Sequence, residues 1–271
     1  MKFLSIILLS AVAVAAHAQV PVFYEVPTDR VGVTMNIVVM ESAQPKQKVL
    51  LVVPGSPGSD GRVMLRNAGA GAVDRAVQYF AHYKEMFDSS GIGLVGMGCP
   101  TDQWLNSDQC GDDYRSSQQY VDDVTKVIAF IKLRNDVKDF YLFGHSSGGI
   151  SSRWLSLRMP EHFKGVINSS VMNRSFGGLA KSMAGFDMRA IKIPVLNIAH
   201  ENDACPSTPY AVVKNYSSGN LITVRGGGES GDRCGKAHRH SFEGRQKAVS
   251  KAIINWINKS EIESLIIQEI D

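Results

Sequence analysis

Apolar residues in this chain gather in short unbroken runs, separated by stretches in which they recur every third or fourth position. The runs KVLLVVPG, GIGLVGMGCP, VKDFYLFG, FKGVINSSV, IPVLNIAH and NLITVRGG show little period-two alternation, as expected of strands that helices cover on both faces in a parallel sheet. Ahead of them, VFYEVPTD and VGVTMNIVVMES read as an antiparallel pair leading into the sheet. Between the runs lie helical faces: Tyr120, Val124, Val127, Ile128 and Ile131 share one stripe, and Val249, Ile253, Trp256 and Ile257 share another. This alternation predicts an α/β class with a mostly parallel central sheet and helices on both faces. No internal repeat, low-complexity block or Pro/Gly/Ser-rich linker divides it, so a single domain over residues 19–271 is expected. The tail NKSEIESLIIQEID carries Ile262, Leu265, Ile266 and Ile270, either a docking stripe or a frayed helix end, and receives no function.

The first residues follow a different pattern. Lys2 precedes an apolar run from Phe3 to Ala16, broken only by Ser5 and Ser10. The segment Ala16-His17-Ala18 then has the small-x-small form of a signal-peptidase site. The run is shorter than the ~20 residues that span a bilayer. The expectation is a signal peptide over residues 1–18, cleaved after Ala18, and a secreted or periplasmic product without a stable membrane anchor.

Composition narrows the partners. With 29 basic and 26 acidic residues the formal net charge is +3, too weak a field to gather nucleic acid. A small-molecule substrate is the expected partner. Export changes the reading of Cys99, Cys110, Cys205 and Cys234, since four cysteines in an oxidising compartment are expected to pair. Three connectivities exist, and the sequence-local one, Cys99 with Cys110 and Cys205 with Cys234, is expected. No C-x-x-C spacing suggests zinc.

The candidate chemistry starts at Gly144-His145-Ser146-Ser147-Gly148. This G-x-S-x-G pattern follows the apolar run Phe140 to Phe143 and precedes a helical face of Ile150, Trp154 and Leu157, with Pro160 beyond its end. A strand-to-helix turn of this kind lifts the serine hydroxyl above the sheet, and flanking glycines let the two elements approach closely. A serine needs a base and an orienting acid. Asp203 follows the strand IPVLNIA, and His240 follows NLITVRGG just before the last helix; His238, two residues earlier, is the alternative base.

With serine, acid and histidine in that order, the sequence resembles the α/β-hydrolase superfamily from about Val49 to Ile257. The resemblance implies the α/β-hydrolase fold, with Ser146 as nucleophile, Asp203 as acid and His240 as general base; His240-Ser241-Phe242 is similar to the H-x-F that often follows the last strand. It also implies an oxyanion-hole donor after an early strand, where this chain has Pro54-Gly55-Ser56-Pro57-Gly58. Proline stands where the family often has histidine, and Pro57 has no N–H to give. The Ser56 and Ser147 backbone N–H groups are therefore the expected donors. The roughly twenty residues from Met172 to Ile191 leave room for a small cap or none.

Other patterns compete. Gly91 to Gly96 and Gly226 to Gly231 both satisfy G-x-G-x-x-G, but the first lies inside an apolar strand and the second precedes a charged loop, so neither opens a helix onto a dinucleotide phosphate. His200, Asp203, His238 and His240 would be the donors of a zinc site, yet no H-x-x-x-H helix accompanies them. No cofactor and no metal are expected. The sequence thus reads as an exported serine hydrolase cleaving acyl bonds, foremost carboxylic esters. The alternatives are a peptidase or amidase on the same triad, and a binding protein on a hydrolase fold. The loop from Cys99 to Cys110, with Trp104, is either a pocket wall or a disulfide-pinned loop.

Overall fold

The computed structural model describes residues 20–42, 44–53, 55, 83–104, 110–175, 180–217, 219–259 and 266–267. The expected signal peptide over residues 1–18 lies outside them. The opening strands β1 (Val20–Pro27) and β2 (Thr34–Glu41) form the predicted antiparallel hairpin, and β2 also runs antiparallel to β4. The predicted apolar runs become β3 (Lys48–Val53), β4 (Ile92–Pro100), β5 (Asp139–His145), β6 (Gly165–Ser169), β7 (Val195–His200) and β8 (Leu221–Val224), all mutually parallel. Among the described residues the sheet has nine strands in the order β1-β2-β4-β3-β5-β6-β7-β8-β9.

The missing alternation has a simple cause. In β3, Leu50 and Val52 point to one face, while Val49, Leu51 and Val53 point to the other, and all five are at most 4% exposed. On the first face lie Phe87 of α1 (Lys84–Ser89) and the Val249–Ile257 stripe of a C-terminal helix described below. The second face is covered after two short turns, α2 (Thr101–Trp104) and α3 (Asp112–Arg115), by the long helix α4 (Gln118–Arg134), which buries Tyr120, Val124, Val127, Ile128 and Ile131 as predicted. Ser117 caps α4, its hydroxyl accepting from Tyr120 N at 3.2 Å, and Lys132 and Arg134 complement the dipole in its last turn.

Helix α5 (Gly148–Arg158) departs from its predicted face. Ile150 is fully buried, but Trp154 and Leu157 are only half-buried, whereas Ser151, Ser152, Arg153 and Ser156 are buried. The helix is submerged on nearly all sides, and distant partners satisfy its polar positions: Arg115 donates to Ser151 Oγ at 2.9 Å, and Ser152 Oγ donates to Asn168 Oδ1 at 2.8 Å. Helices α6 (Tyr210–Tyr216) and α7 (Gln246–Lys259) complete the layers, and α7 is the one that buries Val249, Ile253, Trp256 and Ile257. In the tail, Ile266–Ile267 form β9, a two-residue strand parallel to β8, while Ile262, Leu265 and Ile270 of the stripe lie outside the described residues.

Sheet order decides where a site forms. From β3 the chain passes to β4 on one side and then returns to β5 on the other. The connections leave β3 and β5 in opposite directions, which opens a crevice beyond their carboxyl ends, where open α/β sheets bind ligands.

Candidate active site

Ser146 sits at that crevice, directly after β5, with φ +53°. A non-glycine residue rarely occupies the left-handed region, and its cost is sustained only where the surroundings over-determine it. Here they do: Ser146 N donates to Ser169 O at 3.1 Å, and Ser146 O accepts from Gly149 N at 3.0 Å and Met172 N at 3.1 Å. A Cβ at Gly144 would collide with Ser152 Oγ, and one at Gly149 with Val171. The close approach thus uses Gly144, as predicted, and Gly149 on the helix side. After β3, Gly55 lies against the serine, so that a Cβ there would stand 3.1 Å from Ser146 Cβ.

Asp203 and His240 reach the same edge from β7 and β8. His240, in a 3-10 turn over Arg239–Ser241, places Nδ1 2.9 Å from Asp203 Oδ2, and both side chains are 1% exposed. With Nδ1–H donating to the carboxylate, the lone pair of the neutral imidazole lies on Nε2. That Nε2 is buried and has no hydrogen-bond partner among the described residues. The His145 ring packs 5.0 Å, centroid to centroid, from the His240 ring, which brings the histidine to the residue preceding Ser146. Burial first, and then the neighbouring His240, hold the His145 imidazole well below its ordinary pKa. His145 therefore stays neutral beside His240 at neutral pH.

The acid is held by a short turn. Cys205 N donates to Asp203 Oδ1 at 2.9 Å, and Thr208 Oγ1 donates to Asp203 Oδ2 at 2.7 Å while lying 3.3 Å from His240 Nδ1. His200 fastens the end of β7: its Nε2 lies 2.7 Å from Gly226 O, and its Nδ1 accepts from Asn202 N at 3.0 Å. Burial pushes its pKa down. Thr208 carried no motif signal, His145 stood only at a variable position of the elbow and His200 only among zinc donors, because their partners stand up to 95 positions away in the chain or on loops.

The remaining predicted residues fall as follows. His238 is buried, 7% exposed, and the Asp203 contact belongs to His240. Ser147 is fully buried, and its N–H is among the first at the N-terminus of α5, which lack intrahelical acceptors. Ser56 lies outside the described residues, as do residues 105–109 of the Cys99–Cys110 loop. Both cystines have the sequence-local pairing: Cys99 joins Cys110 with Cα atoms 5.5 Å apart, and Cys205 joins Cys234 at 4.8 Å. Among the described residues no group of three or more His, Cys, Asp or Glu is placed to hold a metal ion. A cavity of about 240 Å³ lined by Lys46, Val49, Gly93, Ile131, Arg134 and others opens at the opposite edge of the sheet, away from Ser146.

A family model described as serine aminopeptidase, S33, matches residues 105–226, which include Ser146 and Asp203. Among solved structures, a dienelactone hydrolase from Anabaena variabilis superposes with TM-score 0.57 at 14% identity, covering 89% of this chain and 98% of that one. Est1E from Butyrivibrio proteoclasticus gives TM-score 0.54 at 13% identity, covering 88% and 98%. The chain has the α/β-hydrolase fold. A monoacylglycerol lipase from Paleococcus ferrophilus is a further structural match, with TM-score 0.52 at 15% identity over 84% of this chain and 99% of that one. No curated protein sequence matches this chain.

Proposed function

We propose that this α/β-hydrolase is an exported serine hydrolase that cleaves carboxylic esters through an acyl-enzyme. What supports the reading is a strained elbow serine after β5 together with a buried His240–Asp203 pair 2.9 Å apart, whose imidazole packs 5.0 Å from the ring of His145, the residue before Ser146. In this reading Ser146 Oγ attacks the ester carbonyl and its proton passes to His240 Nε2, while Asp203 holds the tautomer and faces the imidazolium that forms. The Ser56 N–H, with the Ser147 N–H as second donor, receives the oxyanion. Collapse breaks the ester C–O bond and His240 gives its proton to the leaving alcohol. Water then attacks the acyl-enzyme with His240 again as base, releasing the acid and restoring Ser146.

The dienelactone hydrolase and monoacylglycerol lipase matches bear names that denote ester cleavage, which supports the ester reading. The aminopeptidase description of the family model favours a peptidase as the second reading. Export rests on the segment before Gln19 and on the two cystines, which suit an oxidising compartment. No helix among the described residues is long and apolar enough to cross a membrane.

A fluorophosphonate probe tests the assignment. The wild-type protein should be labelled on Ser146 and hydrolyse p-nitrophenyl esters, and Ser146→Ala should lose labelling and about 10⁶ in kcat. Labelling that maps to another serine overturns the assignment, and faster turnover of aminoacyl anilides than of esters favours the peptidase.

A further inference from the structure

Arg153, in the middle of α5, is 3% exposed and enters none of the chemistry above. A buried guanidinium ordinarily sits against a carboxylate, because an unpaired charge is expensive to desolvate. Among the described residues Arg153 has no such partner. Nη1 donates to Met172 O at 3.0 Å and lies 3.4 Å from Met183 Sδ, and Nη2 donates to Asn173 Oδ1 at 2.6 Å and Tyr216 Oη at 2.7 Å. Nε is buried and finds no acceptor among the described residues.

What these neutral partners have in common is their place. The Met172 whose carbonyl Arg153 holds is the residue whose N–H donates to Ser146 O at 3.1 Å. The Asn173 whose amide oxygen it holds donates its own N–H to Ser207 O at 2.8 Å, inside the turn from Cys205 to Thr208 that grips Asp203. One fork of five donors therefore grasps, two bonds away in each direction, the backbone of the serine elbow and the backbone of the acid turn.

We propose that Arg153 is a positioning residue that sets the separation of the nucleophile elbow from the acid turn, with the buried charge retained for that geometry. Its planar fork reaches both neighbours at once, and a lysine ammonium keeps the charge without that geometry. The inference rests on the triad of the preceding section.

The experiment measures the rate of fluorophosphonate labelling, kcat, KM and Tm on the full chain for Arg153→Lys, Asn173→Ala and Tyr216→Phe. Displacements near 1 Å cost on the order of 100-fold in rate. Arg153→Lys should therefore label and turn over about 10- to 100-fold more slowly, with KM within about threefold, at temperatures well below its Tm. Asn173→Ala, which leaves Arg153 in place and removes the side chain through which it holds Asn173, together with that side chain's bonds to Val171 O and Tyr216 Oη, should lose rate in the same sense. It also serves if Arg153→Lys does not fold. Tyr216→Phe removes a phenol oxygen that bonds Arg153 and, at 3.4 Å, Asn173 Oδ1, but it leaves the Arg153 bonds to Met172 O and Asn173 Oδ1 in place and should keep the rate within about threefold of wild type. Wild-type rates in folded Arg153→Lys, or in Asn173→Ala if only that variant folds, overturn the proposal. So do rate losses in all three variants that simply track their Tm. A wild-type protein not labelled on Ser146 would instead remove the triad reading itself, a result separate from either of these.

Discussion

Three donors converge on one carboxylate: Cys205 N on Asp203 Oδ1, and Thr208 Oγ1 and His240 Nδ1 on Oδ2. Thr208 is 2% exposed, so water has little access to replace its hydroxyl. Removing a buried hydrogen bond to a charged group costs about 1.5–3 kcal/mol. Thr208→Val keeps the shape and puts a methyl group beside Oδ2. Its stability in urea should fall by about that amount, and kcat should fall roughly tenfold at unchanged KM as the Asp203–His240 bond loosens, since tenfold corresponds to about 1.4 kcal/mol. Unchanged kcat at reduced stability would leave Thr208 a packing residue only.

The junction of β5 and α5 is where strand and helix come closest. A methyl group at Gly144 would enter both Ser152 Oγ and the Gly148 carbonyl oxygen. Overpacking of this kind costs about 1–3 kcal/mol, so Gly144→Ala should shift the urea midpoint down and slow labelling of Ser146, both measured on one preparation. This junction also shows what the sequence could and could not reveal. The parallel strands were legible because strands covered on both faces must be apolar throughout, and α4 and α7 because each faces the sheet with one stripe. Helix α5 was not, since Ser151, Ser152 and Arg153 find their partners in Arg115, Asn168 and Asn173, and side-chain polarity says nothing about partners so far along the chain. Ser146 stood out by its glycines. The choice between His240 and His238 needed the turn that points one of them at Asp203.

For the molecule as a whole, two histidines link folding to pH. His200 is fully buried and His145 half-buried, and burial lowers the pKa of both. Above the unfolded value of about 6.5 both are neutral in either state, and their folded environment is undisturbed. As pH falls below it, the unfolded chain takes up protons that the folded chain refuses, so stability declines toward the folded pKa values. Each histidine contributes a slope of up to about 1.4 kcal/mol per pH unit over that interval. Urea unfolding between pH 7.5 and 5 should show this decline, and His200→Gln should flatten it. A slope identical to wild type would mean that His200 titrates alike in both states.

The Cys205–Cys234 cystine changes the distances along this chain. By the backbone Asp203 and His240 are 37 positions apart. Through sulfur the path is far shorter, because the cystine begins two positions after the acid and ends six before the base. Once the bond has formed, α6 and β8 lie on a side loop that the path between acid and base bypasses. Loop-closure entropy grows only slowly with length. Residues can therefore be inserted into, or drift within, the exposed parts of that side loop while acid and base remain near neighbours through sulfur, and the cystine separates the evolutionary freedom of the loop surface from the constancy of the pair.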